Sequence, residues 1–272
     1  MLHGTIIIYL INIFHTVSKY SITIFKDVSS VKKIVKMVPL ALMSLIITTL
    51  SFYAVSILTR QYAMVSAGII DTPVLIIDAG HGGADGGAVA ADGTTESVIN
   101  LEICLKMRDI CALFGIDPVL TRETEDIDYP QSADTISKMK KADTRARCDL
   151  INSFDNAVLI SIHQNKFPSS KASGLQALYA KTDGSAAFAD IIRNGSVKQL
   201  GEDNVRVSAK IKDSVYLMNN ISCTAVLVEC GFISNSGDLN NLENSNYKTK
   251  LAYVFISSYL EYNSTVKSGN YA

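Results

Sequence analysis

The chain has 272 residues, with 25 basic and 26 acidic side chains and a formal net charge of −1. That length fits one large domain or two small ones, and the charge balance offers no basic footprint for nucleic acid. Five cysteines, an odd number with no Cys-x-x-Cys pair, exclude a disulfide framework and a cysteine-based zinc site.

Residues 1–18 are apolar but too short to span a bilayer comfortably. They include His3 and His15, to which no role is assigned. Residues 37–59 form an uncharged run of 23 positions, long enough to cross a hydrocarbon core of about 30 Å. Lys19, Lys26, Lys32, Lys33 and Lys36 precede it against Asp27 alone. By the positive-inside rule, 1–36 stays in the cytoplasm and the rest is exported. A cleaved signal peptide, processed near Val65-Ser66-Ala67, is the alternative. Its apolar core would be too long and its basic region too far in. A linker, 60–72, leads to a domain at 73–263, and 264–272 is a polar tail. From residue 60 onward there are 20 basic and 25 acidic residues, a net of −5. An acidic domain again argues against nucleic acid.

Val74–Ile77 reads as a buried strand ending in Asp78. A glycine-rich loop carrying His81 follows. Glu96 opens an amphipathic helix to Phe114, capped by Thr94 or Thr95 and stopped by Gly115. A short strand is expected at 118–121, a polar surface loop at 124–141 and a helix at 142–154. The run Ala157–Ile162 is a second buried strand and ends in His163. After a loop at 165–173, a strand at 174–180, a helix at 185–200 and a strand within 210–218 follow. Thr224–Val228 is a third apolar run and delivers Glu229. An amphipathic helix spans 247–262. Cys104 and Cys111, seven apart on one helix, read as core thiols. Arg145, Arg147 and Arg206 read as surface arginines, with Arg206 a candidate contact for an anionic substrate group. Alternating strands and helices predict a single α/β domain with a largely parallel twisted sheet flanked by helices, after one N-terminal transmembrane helix.

Open α/β sheets bind ligands at the carboxyl ends of their strands. His81, Glu96 and His163 offer two imidazoles and a carboxylate, a donor set that suits catalytic zinc with a fourth position for water. Glu229 is suited to act as general base and then as acid for a leaving amine. Together these residues make a device for hydrolysing an amide. Taken singly, each has a plainer reading: a hydrogen-bonded structural histidine, a charge at a helix N-terminus, or a buried carboxylate with a partner. The glycine loop also resembles a nucleotide motif. However, Gly80-His81-Gly82-Gly83-Ala84-Asp85 ends in Asp and lacks a phosphate-binding lysine, so it suits a cation better.

Four pieces resemble the zinc-dependent N-acetylmuramoyl-L-alanine amidases of the type 3 family. They are Ile77-Asp78-Ala79-Gly80-His81-Gly82-Gly83, the Glu96 helix, Ser161-Ile162-His163-Gln164-Asn165, and Val228-Glu229-Cys230-Gly231-Phe232-Ile233-Ser234-Asn235. The resemblance implies His81, Glu96 and His163 as zinc ligands and Glu229 as the catalytic carboxylate. It also implies cleavage of the amide between N-acetylmuramic acid and L-alanine in peptidoglycan. Ala79 stands where the family usually has proline, and Gln164 where it often has a small or apolar residue. The single anchor and bare catalytic domain are most similar to spore-cortex amidases of endospore formers, which prepare the cortex for muramic lactam formation. Three further stretches share that likeness: Asp149-Leu150-Ile151-Asn152, Phe167 to Gly174, and Val215 to Asn220. The competing expectations are a vegetative amidase of cell separation or wall turnover, a carboxypeptidase cutting within the stem peptide, and a non-catalytic wall-binding protein of the same fold. An accessory activator is left open.

Overall fold

A computed structural model of the chain describes residues 37–38, 41–53, 56 and 72–267. The chain divides at residue 71 into two units. In the first, residues 41–53 are helical, and Leu42, Leu45, Ile46, Leu50 and Phe52 are exposed. Among the described residues no helix is long and apolar enough to cross a membrane. The rest of the span expected at 37–59, and the segments 1–36 and 60–71, lie outside the described residues.

The second unit is an α/β domain. Its strands are β1 (Val74–Ala79), β2 (Val119–Leu120), β3 (Ala157–Asn165), β4 (Gln176–Tyr179), β5 (Ala209–Lys210) and β6 (Thr224–Phe232). Its helices are α1 (Glu96–Leu113), α2 (Ile136–Asn152), α3 (Ser185–Leu200), α4 (Tyr216–Asn219), α5 (Ser236–Glu243) and α6 (Ser245–Lys267). The sheet order is β2-β1-β3-β6-β4-β5. Every pairing is parallel except β4 with β6.

Side chains alternate along each strand, so the two faces of the sheet can be read from the sequence. Leu75, Ile77, Val158, Ile160, Ile162, Val226 and Val228 join the larger core, with Ile103, Met107, Phe188 and Phe255 from α1, α3 and α6. Ile76, Leu159, Ala225 and Leu227 face the other way, into a smaller core with Ile151 of α2 and Leu217 and Met218 of α4. Burial on both faces explains why the strands read as unbroken apolar runs. On the thinner face the alternation continues to Asp78, Ser161, His163 and Glu229, and these polar groups gather there.

Several elements differ from expectation. Helix α2 starts at Ile136, within the expected loop, because the Thr135 hydroxyl accepts from Lys138 N at 3.3 Å and caps it. The expected strand at 210–218 is only Ala209–Lys210. Asn219 then donates to the carbonyls of Lys212 and Val215, at 3.0 and 2.8 Å, and the chain curls into α4. Helix α5, unread in the sequence, is capped by Asn235, which accepts from Asp238 N at 3.0 Å. Strands β3 and β6 run past His163 and Glu229, because Asn165 still pairs with Phe232 after a register shift.

All five cysteines are free, and Cys104, Cys111, Cys148 and Cys230 are buried. Burial pushes the Cys111 thiol up to about 12 and raises that of Cys230 further. Burial also raises the half-buried Cys223 thiol, to about 11, so thiol titration of the folded protein should find Cys223 reacting first, and slowly. All five should react after denaturation. Fast native labelling of Cys104 or Cys230 would contradict this packing.

Candidate active site

The loop after β1 is held by two buried arginines. Arg147 of α2 donates to Asp78 Oδ1 at 2.8 Å, to the Ala79 carbonyl at 2.5 Å and to the His81 carbonyl at 2.7 Å. Asp143 receives its Nε at 3.0 Å. Arg122 donates to the carbonyls of Ala79, Gly80 and Ser97, at 2.9, 3.3 and 2.8 Å. Asn100 adds a bond to the Gly80 carbonyl at 2.9 Å and takes one from Gln164 at 3.1 Å. The surface reading of Arg147 is thus overturned: it is 6% exposed, because its partners are an aspartate and backbone carbonyls at the end of β1. Arg145 and Arg206 are exposed, as expected.

This scaffold holds His81 at φ 61°, the one positive φ outside glycine among the described residues. That left-handed geometry costs on the order of 1 kcal/mol in a non-glycine residue and persists where surrounding bonds enforce it. His81 Nδ1 lies 2.8 Å from Asp85 Oδ2, which leaves Nε2 facing Glu96 Oε1 at 3.4 Å. His163 Nδ1 lies 2.9 Å from the same Glu96 oxygen. Glu96 is the first residue of α1, and it accepts from the backbone N–H groups of Gln164 and Ala88 at 3.0 and 2.9 Å. Two glycines make room. A Cβ on Gly80 would sit 2.2 Å from the His163 ring, and one on Gly87 2.6 Å from Glu96 Oε2.

Donor atoms of His81, Glu96 and His163 all lie within 4.8 Å of one another. Two nitrogens and one oxygen at that spacing fit a tetrahedral divalent metal with one position left for water or substrate. Asp85 behind His81 is the carboxylate partner that orients metal-binding histidines. Burial alone would raise the Glu96 carboxyl, but His163 and His81 hold it below the usual carboxylate range. Burial also works against charge on His81, and Glu96 with Asp85 outweighs it and raises the imidazole.

Glu229 lies directly opposite His163 in the β3–β6 register, and Gln176 of β4 faces it from the other side. Its Oε2 is sealed from solvent and has no hydrogen-bond partner. Burial pushes this carboxyl up to about 7. Beside the cluster a cavity of about 330 Å³ opens between α2 and α4. Gly80, His81, His163, Lys140, Tyr216 and Leu217 are among its walls. A group of metal donors, a carboxyl suited to exchanging a proton near neutrality, and an adjoining cavity together can perform a hydrolysis. The four side chains expected from the sequence are all here. The two arginines, Asn100 and the tie from Asp85 to His81 were not foreseen. Only the polar interruption at Asp78 hinted at a buried charged partner.

A family profile described as N-acetylmuramoyl-L-alanine amidase matches residues 75–258. The chain is 33% identical over 190 residues to the germination-specific N-acetylmuramoyl-L-alanine amidase of Bacillus subtilis (strain 168). That match covers 70% of this chain and 79% of the relative. The CwlD amidase of Clostridioides difficile, solved in complex with the GerS lipoprotein, superposes with a TM-score of 0.67 at 31% identity. It covers 71% of this chain and 100% of that one. The catalytic domain of CwlV from Bacillus (Paenibacillus) polymyxa var. colistinus shares the fold at 24% identity. Its TM-score is 0.60, over 70% of this chain and 98% of that one.

Two expectations follow from the loop. Burial favours a neutral Asp78, but Arg147, Ser161 and Thr121 hold its carboxyl at about 2, below its ordinary 3.8. A depressed carboxyl stabilises the fold above the unfolded value and loses that contribution as pH falls through the folded one. About 2 kcal/mol should therefore disappear between pH 4 and pH 2. Denaturant unfolding across that range should show the slope in the parent protein and a shallower one in Asp78→Asn, where the depressed carboxyl of Glu96 still contributes. Gly80→Ala should keep the fold by circular dichroism but displace His163, and any divalent metal held by the three side chains should bind about 10- to 100-fold more weakly in a chelator competition.

Proposed function

Given that the chain belongs to the N-acetylmuramoyl-L-alanine amidase family, enzymes acting on peptidoglycan, we propose that it hydrolyses the muramoyl–L-alanine amide with zinc during spore-cortex maturation. The observation that carries the zinc reading is the convergence of His81, Glu96 and His163 beside Glu229 at the carboxyl edge of the sheet. Bound by those three side chains, zinc would supply a Lewis acid for the scissile carbonyl and for the attacking water.

The chain's own residues do the rest. Glu229, with a buried unpartnered oxygen and a carboxyl near 7, takes a proton from water and passes it to the departing amine nitrogen of L-alanine. Asp85 holds His81 through Nδ1, so its Nε2 stays turned to the cluster. Arg122 and Arg147 keep the loop carbonyls fixed while the substrate changes shape. The cavity wall at Tyr216 and Leu217 receives the acyl side of the bond and excludes water there.

The cortex role draws support from the germination-specific relative and from CwlD. The uncharged run 37–59 and the exposed apolar side chains on helix 41–53 support a membrane anchor with the domain outside the cytoplasmic membrane. That CwlD was solved with a lipoprotein supports an accessory protein partner for this chain as well.

The test is digestion of defined peptidoglycan by the zinc-supplied full chain, with products identified by mass spectrometry. Stem peptides beginning at L-alanine are expected. They should be lost on chelation and restored by zinc, and Glu229→Ala should slow their release about 10²- to 10⁴-fold. Cuts inside the stem peptide would make the protein a peptidase. Binding without cleavage would make it a wall-binding protein.

A further inference from the structure

The carboxyl edge of the sheet has cations other than the two loop arginines. Lys140 is paired with Asp85 at 2.9 Å, and Lys166 donates to the Val89 carbonyl at 2.9 Å. Arg206 differs. Its guanidinium lies over the Phe232 ring, 5.5 Å from the centroid. No carboxylate is recorded with it among the described residues, in a domain where acidic side chains outnumber basic ones.

Its place is fixed by backbone. Leu175 N donates to the Asn204 carbonyl at 2.8 Å, and Arg206 N donates to the Leu175 carbonyl at 2.7 Å. Gln176 Nε2 donates to the Val207 carbonyl at 3.0 Å. Arg206 is thereby tied beside Gln176, the residue directly opposite Glu229. Phe232, under the guanidinium, is 4% exposed and pairs with Asn165. Paired residues project to the same face, so Phe232 shares the face of His163 and Glu229.

We propose that Arg206, seated on Phe232, is a specificity-determining residue that receives a carboxylate of the peptide on the amine side of the scissile bond. This rests on the amidase reading. Distance is consistent with it. The guanidinium lies over Phe232, three residues beyond Glu229 on β6, so at about 3.3 Å per residue it stands about 10 Å past Glu229. An extended peptide advances about 3.5 Å per residue, so the second or third residue after the cut reaches it. The cavity beside His81 and His163 lies toward the other end of the same edge. The substrate therefore has a direction: the sugar side over β1 and β3, the acidic peptide side past the carboxyl end of β6, where Phe232 carries Arg206. An aromatic base holds the planar guanidinium in place, so that both of its outer nitrogens can meet a carboxylate.

The experiment uses the zinc-supplied full chain and two muramoyl peptides that differ only in a free or amidated carboxylate on the second stem residue. A second pair carries the same change on the third. Binding of the corresponding free peptides is measured by calorimetry in parallel. The parent protein should favour the acid over the amide at one of the two positions by about tenfold or more in kcat/KM, mainly through KM. Arg206→Gln should lose that preference while keeping its rate on the amide, and Arg206→Lys should restore part of it. The free acidic peptide should bind the parent more tightly than Arg206→Gln. Equal treatment of acid and amide by the parent, or an equal loss on both by Arg206→Gln, would overturn the proposal. If no substrate is cleaved, the amidase reading fails by itself. The calorimetric comparison of acidic and amidated peptides then still decides the role of Arg206.

Discussion

The site depends on two buried guanidiniums bound to three consecutive carbonyl groups. Arg122 and Arg147 converge on Ala79, Gly80 and His81 from opposite sides of the chain, and Asp78 neutralises one of them at the end of β1. Buried charge is costly unless every donor finds a partner. Here the donors are spent on a loop whose carbonyls have no strand to pair with. The outcome is a rigid loop in place of a mobile one, with a histidine kept in a backbone region it would otherwise avoid. Few arrangements let a glycine-rich segment present a side chain with fixed direction, and this one uses side chains from the segment after β2 and from α2 to do it.

The second constraint is strand register. His163 and Glu229 are cross-strand partners, and Glu96 bonds both the ring of His163 and the N–H of its neighbour. Donor group and proton carrier are therefore placed by the same backbone ladder that closes the core. The register shift just after them, between His163 and Asn165, is the kind of irregularity that re-aims side chains at a sheet edge. Antiparallel β4 then brings Gln176 against Glu229, which helps to shut water away from one carboxyl oxygen.

The legibility of the site follows from the same physics. His81, His163 and Glu229 each follow an unbroken apolar run, because a parallel sheet buried on both faces leaves polarity only where the strand reaches its ligand. Glu96 was readable as the first charge of a periodic helix. Arg147 was not, because a buried arginine satisfied by backbone looks the same in sequence as an exposed one. Apart from Asp143 on the same helix, its partners lie 66 to 69 residues away. Gln164 stood out as a departure from a family pattern, and the structure gives it a bond to Asn100 under the loop. Boundaries were lost where side chains close turns. Thr135 begins α2 early, Asn219 folds an expected strand into α4, and Asn235 starts α5.

The five separate thiols carry a consequence for how the domain comes to exist. Nothing in 72–267 is cross-linked, and each cysteine is used as a small apolar side chain on a strand, a helix or a turn. The native fold therefore depends on no oxidant and on no disulfide pairing. In oxidising surroundings an unfolded chain exposes all five thiols to mispairing, and the burial of four of them on folding withdraws those from that chemistry.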